Sequence, residues 1–578
     1  MIIEFLGAAR EVTGSCHYVS FQNKQGRDIH LLVDCGMEQG ADLYVNQEIP
    51  VNASLVDYVF VTHAHIDHSG LLPLLYNHGF RGAIYATEAT TALCDIMLKD
   101  SAHIQESEAE WQNRKAKRAG NEETEPMYTL EDAVGVMEQF HPLTYDEKVR
   151  ICDGLEVRFV DAGHLLGSAS IEMWITEPND LYAGLNRLEQ ESEYENRRKE
   201  RRSGSKQEET DPVCENEDLF FTRKLVFSGD VGNGNRPLIR DPQYIRDADY
   251  VIMESTYGNR NHETPPDYAV LLAEVIRETF QRGGNLVIPA FAVGRTQEML
   301  YHLRRIKTEE MLPEYPDFEV YMDSPLAVEA TTVFNKSVLE CFKPEAIQMI
   351  KEGTNPITFD GLKIAVTSGE SQMINFIEKP KVIISASGMC EAGRIRHHLK
   401  HNLWRADSTI LFVGFQCEGT LGHSLLNGVK KVKLFGEEID VKARIVNLPG
   451  ISGHADMEHL TRWIAAFDPK PRRVFIVHGE EQTAVSFAEH LQKDLGLYAS
   501  APYTGDVYDL ISGECIQNGA RKHAVKKARR TAANSVFERL VAAGQRLAAV
   551  IQKCHGMANK DLAKFADQIN ALCDKWER

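Results

Sequence analysis

None of the chain's eleven cysteines forms a Cys-x-x-Cys pair. That absence argues against a paired-thiolate zinc site and against a secreted disulfide framework. Reduced thiols fit instead, and a cytoplasmic location is expected. Also missing is an apolar run of about 18 residues or more, the length a membrane-spanning helix requires. The opening stretch Ile2-Ile3-Glu4-Phe5-Leu6 reads as a short strand, without the cationic region and long apolar segment of a secretory signal. Basic charge is scarce: 64 Lys and Arg stand against 84 Asp and Glu, a net charge of −20 over 578 residues. Nucleic-acid binders usually carry a basic footprint. Three readings therefore compete: no nucleic-acid partner, basic groups gathered locally, or bound cations supplying positive charge at the site.

What is present is a series of short apolar runs bounded by turn residues: Leu31–Val33, Tyr58–Val61, Leu225–Phe227, Tyr250–Met253, Leu286–Ile288, Val382–Ile384, Ile410–Val413 and Val474–Val477. Runs this short and rich in β-branched residues read as strands buried on both faces. Helical patterns lie between several of them, such as Tyr268 to Arg282 and Thr296 to Ile306, and the class is α/β. Glu189 to Asp218 is dense in Glu, Arg and Lys and reads as a surface insertion. In the tail, Phe537, Leu540, Val541, Leu547, Val550 and Ile551 form one helical apolar stripe, and Leu562, Phe565, Ile569 and Leu572 another. A helical pair docking on its own chain is expected, with a homodimer contact as the alternative.

The densest chemistry lies in Thr62-His63-Ala64-His65-Ile66-Asp67-His68, directly after an apolar strand. On an extended segment, positions i, i+2 and i+4 share a face, so His63, His65 and Asp67 converge and His68 projects elsewhere. Imidazoles with a carboxylate suit borderline metals, zinc above all. A core does not accept a carboxylate among imidazoles without a cation. His63, Asp230, Glu254 and His478 each stand at the C-terminal end of an apolar strand, the edge where sites gather in open α/β layers.

H-x-H-x-D-H after a strand resembles the signature of the metallo-β-lactamase superfamily. Its other motifs follow in order: Asp34 in Val33-Asp34-Cys35-Gly36, His164 in Asp161-Ala162-Gly163-His164-Leu165-Leu166-Gly167-Ser168, and Asp230 in Phe227-Ser228-Gly229-Asp230. Glu254, His454 in Ser452-Gly453-His454-Ala455-Asp456, and His478 resemble the three further motifs of the β-CASP branch, which includes RNase J and the polyadenylation endonuclease. The stretches Pro289–Glu298, Asp323–Ala327, Ser385–Met389 and Gly414–Gly422 agree with it. The resemblance implies a metallo-β-lactamase αββα sandwich in two parts, 1–256 (with a charged insertion at about 178–222) and 441–520. A β-CASP α/β domain would occupy 257–440, and a C-terminal helical extension 521–578.

By the same resemblance, His63, His65, His164 and Asp230 bind one Zn2+, and Asp67, His68, His478 and the bridging Asp230 a second. Two such ions about 3.5–4 Å apart hold a shared hydroxide. Asp34 orients a ligand histidine. His454 is the expected general acid for the leaving 3′ oxygen, with Glu254 holding its ring, and Asp67 also belongs to the catalytic group. The implied substrate is single-stranded RNA, cut endonucleolytically, 5′-exonucleolytically or both, leaving a 5′ phosphate. Arg295, Ser387, Arg394, Arg396, His397, His398 and Lys400 are candidate RNA-backbone contacts, since Arg matches phosphate oxygens. Rival readings are a thioesterase or lactamase of the superfamily, which lacks the inserted domain, and a DNA-processing β-CASP nuclease, which tends to carry an aliphatic residue where His478 stands. A scaffold subunit that has lost ligand positions is a further rival, and here every position is filled.

Overall fold

The computed structural model describes residues 1–38, 49, 51–119, 124–179, 220–416, 419–448 and 452–519. In the C-terminal segment it describes 540–576 apart from 542, 545, 549, 552–553 and 555–558. The charged insertion Glu189–Asp218 and Phe537 lie outside the described residues.

Every apolar run singled out in the sequence is a strand. Two sheets pack face to face. The eight-stranded one runs Cys515–Gln517, Val507–Asp509, Ile2–Gly7, Cys16–Gln22, Asp28–Val33, Tyr58–Phe60, Ala83–Thr87 and Phe140–Leu143. The seven-stranded one runs Ala499–Ser500, Arg473–Val477, Tyr250–Glu254, Phe220–Phe227, Ala169–Pro178, Leu155–Asp161 and Val149–Cys152. Between them lies a core built from Phe5, Val19, Phe60, Phe159, Ile171, Phe227, Ile252 and Phe475, all buried. Inward apolar positions from both sheets supply the main drive for this layer, at roughly 1.5–3 kcal/mol per large side chain removed from water. Helices cover the outer faces. Glu88–Ala119 packs over the first sheet, and Met457–Ala465 with Glu481–Leu495 over the second, where Trp463, Phe487 and Leu491 are buried against Val474 and Ile476. This is the expected αββα sandwich.

A third, wholly parallel sheet is inserted between the strands Tyr250–Glu254 and Arg473–Val477, which are parallel neighbours in the second sheet. Its order is Leu362–Ile364, Val320–Met322, Val382–Ser385, Leu286–Pro289, Thr409–Phe412 and Arg444–Asn447. The last strand pairs with Thr409–Phe412, so this sheet runs past the domain boundary expected at 440. Helix Tyr268–Gln281 begins at Asp267, whose carboxylate accepts from Ala269 N, and buries Leu272, Ile276 and Phe280. One continuous apolar cluster links the inserted domain (Leu300, Phe334, Phe342) to Leu165, Leu166 and Leu238 of the sandwich, so the two units share a core.

The tail departs from expectation. Leu540, Val541, Val550, Ile551, Leu572 and Trp576 are exposed, and helix Asn559–Trp576 keeps Leu562, Phe565 and Ile569 only half-buried. Among the described residues, the two apolar stripes are thus only partly covered.

Candidate metal centre

The site forms where strands end. Tyr58–Phe60 leads to His63, Phe220–Phe227 to Asp230, Tyr250–Glu254 ends on Glu254, and Arg473–Val477 leads to His478. The parallel register of the last three (Phe227 beside Ile252, Glu254 beside Val477) brings their ends level. His454 joins by a backbone bridge to Gly232, and Asp456 caps the helix that follows, its carboxylate accepting from His459 N.

Asp230 is the centre. Its Oδ2 lies 3.5 Å from His63 Nε2 and 3.5 Å from His164 Nε2, and His65 Nδ1 sits 3.0 Å from the first nitrogen and 3.3 Å from the second. Its other oxygen, Oδ1, lies 3.3 Å from His68 Nε2 and 3.6 Å from His478 Nε2. Those two nitrogens are 3.1 Å apart, and Asp67 Oδ2 is 3.6 Å from His478 Nε2. One set of donors (His63, His65, His164, Asp230) and a second (Asp67, His68, His478) each fall within 4.8 Å of one another. Asp230 Oδ1 is buried without a hydrogen-bond partner among the described residues. An orphaned carboxylate oxygen facing imidazole nitrogens fits a cation, since burying such a group otherwise costs kilocalories. The donor set, nitrogen with carboxylate oxygen, suits zinc or a similar divalent ion.

The far ring nitrogens are tethered, which aims the near ones. Asp34 Oδ2 holds His68 Nδ1 at 2.7 Å while its Oδ1 accepts from Thr62 N. Thr62 Oγ1 lies 3.1 Å from His63 Nδ1, Gly453 O is 3.2 Å from His164 Nδ1, and Thr256 Oγ1 is 3.1 Å from His478 Nδ1. Such outer contacts fix tautomer and ring orientation. Burial, reinforced by neighbouring imidazoles, holds His63 and His164 well below the ordinary histidine range. Burial also lowers His65, to about 4. Both effects favour the neutral ring, the form that donates to a metal. Burial would lower His68 too, but Asp230 and Asp34 outweigh it and hold that ring well above its ordinary value. A positive charge is therefore stabilised beside the orphaned oxygen.

His454 stands apart from both donor sets. Its Nδ1 lies 3.2 Å from Glu254 Oε1 and 3.8 Å from Asp230 Oδ2, and the ring is 21% exposed. Burial acts to lower its pKa, but Glu254 and Asp230 raise it to about 9. Glu254 is itself fixed, accepting from Val231 N at 2.7 Å.

The structure corrects one geometric expectation. The segment is not extended through residue 68. It turns into the short helix Ile66–Ser69, so Asp67 and His68 sit side by side and His68 points inward, not away. The basic candidates also fare differently from their reading as a phosphate-facing patch. His398 is fully buried, with Nε2 2.6 Å from Asp323 Oδ2. Arg394 binds Asp323 and the Ala365 and Val366 carbonyls. Arg295 is buried on Glu298. Lys400 pairs with Glu437, His397 stacks on Phe435, and Arg396 lies over the same ring. Ser387 is half-buried in the turn after its strand. The segment thus spends most of its charge on internal partners that are remote in sequence. Unforeseen residues at the site include Thr256, Gly453 through its carbonyl, and Arg236, which donates to the His164 carbonyl and reaches Glu298 in the inserted domain.

This fold and this site make the chain a member of the β-CASP branch of the metallo-β-lactamase superfamily, a family of metal-dependent hydrolases. Residues 25–184 match the metallo-beta-lactamase superfamily domain, 296–425 the Beta-Casp domain, and 438–502 the Zn-dependent metallo-hydrolase RNA specificity domain. The chain is 32% identical over 486 residues to a ribonuclease of Thermus thermophilus, covering 84% of this chain and 94% of that one. It is 29% identical to an RNase J-like protein of Methanocaldococcus jannaschii (88% and 99% covered) and 29% identical to the transcription termination factor FttA of Pyrococcus abyssi (87% and 70%). Among the described residues no helix is long and apolar enough to cross a membrane.

Proposed function

We propose that this protein is a two-zinc ribonuclease that hydrolyses single-stranded RNA. The observation that carries the reading is Asp230, whose two oxygens face two separate donor sets. His63, His65, His164 and Asp230 would hold one ion, and Asp67, His68, His478 and Asp230 the other. When bound, the ions supply Lewis acidity toward the phosphate and lower the pKa of water.

The chain's own groups do the rest. Asp34 and Thr256 keep His68 and His478 turned inward. His454, half-buried at the edge of the centre and held by Glu254, gives its proton to the 3′ oxygen as the P–O3′ bond breaks. Water's oxygen ends on phosphorus, leaving a 5′ phosphate and a 3′ hydroxyl. Nine cysteines among the described residues are free, which suits a reducing compartment. The RNA assignment draws on the ribonuclease relatives, which this chain spans almost end to end, more than on the termination factors, of which it spans 70%.

The test is a time course on RNA labelled at either end, with and without a 5′ phosphate. Cleavage to 5′-phosphorylated fragments is expected. Internal fragments appearing first mark endonuclease action, and mononucleotides released from the 5′ end mark exonuclease action. An RNA left intact by the zinc-loaded protein would end the proposal.

A further inference from the structure

We propose that Phe291 and Phe415 form a stacking platform for bases of the single-stranded RNA beside the metal centre; this rests on the ribonuclease reading. Three neighbouring strands of the inserted sheet, Val382–Ser385, Leu286–Pro289 and Thr409–Phe412, run parallel in register (Leu286 beside Val382 and Thr409). Their C-terminal ends therefore open on one edge, the edge where ligands bind in parallel α/β sheets. Phe291 follows the central strand and is 38% exposed, and Phe415 follows its neighbour and is 53% exposed. Among the described residues neither ring has an aromatic partner.

Single exposed apolar residues are ordinary. Three features set this pair apart. First, Phe291 is anchored: its backbone carbonyl accepts from Thr296 Oγ1 at 2.8 Å, and its ring packs against the loop that holds Gly388. A Cβ at Gly388 would meet Phe291 Cδ2 at 3.0 Å, and one at Gly414, next to Phe415, would lie 3.8 Å from Phe291 Cε2. Glycines on the two flanking loops leave room for the ring, which stays partly open to solvent. Second, the same loop packs against the segment that carries a metal-ligand candidate. A Cβ on Gly294 would lie 3.0 Å from Leu165 Cδ1, beside the ligand candidate His164. Third, the basic cluster expected to hold the phosphates is largely engaged elsewhere. Net charge is −20, and Arg394, His398 and Lys400 are engaged by Asp323 and Glu437. Base–aromatic stacking is tolerant of sequence and independent of charge, and amounts to about 5- to 150-fold in affinity per base.

The experiment measures KM and kcat of the zinc-loaded full chain on single-stranded RNA for Phe291→Leu, Phe415→Leu and the two Phe→Tyr variants. Trp404→Ala serves as control: this exposed aromatic precedes strand Thr409–Phe412 and so lies toward the opposite sheet edge. Leucine keeps apolar bulk and loses the flat π-face, so a folded variant still tests stacking. Each Leu variant is expected to raise KM by roughly 5- to 150-fold with a smaller change in kcat. Tyr should restore wild-type KM, and Trp404→Ala should match wild type. An abasic residue walked along the RNA should, at one or two positions, weaken wild-type binding as much as the Leu change does. Leu variants with wild-type KM, Tyr variants that fail to rescue, a Trp404→Ala loss as large as the Phe losses, or indifference to every abasic position would each overturn the platform. If wild type cleaves RNA while the Leu variants match it, only the platform falls. If wild type cleaves no RNA yet hydrolyses a nitrophenyl phosphodiester, the ribonuclease reading falls with it.

Discussion

Replacing His454 by alanine separates proton donation from metal binding. The ring touches Glu254 at 3.2 Å and Thr256 at 3.4 Å through Nδ1, and no donor set within 4.8 Å requires it. The variant should therefore keep its metal and its fold. What it loses is the acid for the 3′ oxygen, a loss of about 10²–10⁴-fold in kcat, equivalent to roughly 3–5 kcal/mol of barrier. Glu254→Gln leaves the imidazole in place with a weaker partner and should be milder. The assay compares RNA with an activated nitrophenyl phosphodiester, whose leaving group needs no proton, with zinc content measured on the same samples. On the activated ester the deficit should shrink sharply. A His454→Ala protein that has lost an ion, or that is equally impaired on both substrates, would refute the assignment, and the roles of His454 and His478 would have to be exchanged.

Other expectations follow from the same geometry. His478→Ala should lower metal content and activity together, and Asp230→Ala should do more damage than His63→Ala in both readouts, because Asp230 faces both donor sets. RNA should be cut much faster than DNA of the same sequence, with rate falling as salt rises on a shallow slope; equal rates would end the RNA assignment and leave the nuclease. Burial pushes the Asp161 carboxyl up to about 7. Its folded pKa exceeds its unfolded one, so stability is lost as pH rises from about 4 through 7. Asp161→Asn should therefore raise the melting temperature more at pH 8 than at pH 4, and a pH-independent difference would contradict this. Deleting residues 531–578 removes exposed apolar stripes and none of the proposed metal donors, so metal content and kcat should persist. Sedimentation then reports whether a dimer is lost, and loss of zinc from a folded truncation would refute the placement of the site.

Much of the site could be read from sequence because it is built from local signals. Asp230, Glu254 and His478 stand at or just past the ends of apolar strands that parallel pairing brings level, and His63 follows an apolar strand of the facing sheet. What could not be read depends on remote partners. Nothing near Arg394 or His398 announces that Asp323, more than seventy residues upstream, occupies both. The direction of His68 turns on whether residues 66–69 stay extended or coil, and the tether from Asp34 selects the coil's geometry only in three dimensions. Thr256 reads as an ordinary hydroxyl until His478 arrives from 222 residues away. The inserted sheet's last strand, Arg444–Asn447, has charged and polar ends that hide it from an apolar-run search.

The central claim is that catalysis depends on a pair of cations held around Asp230. Elemental analysis of freshly prepared, unchelated protein, run beside RNA cleavage through chelation and zinc restoration, tests it directly. The expected result is about two zinc ions per chain, with activity lost as they are removed and regained as they return. Protein that contains no transition metal and still cleaves RNA at full rate would contradict it.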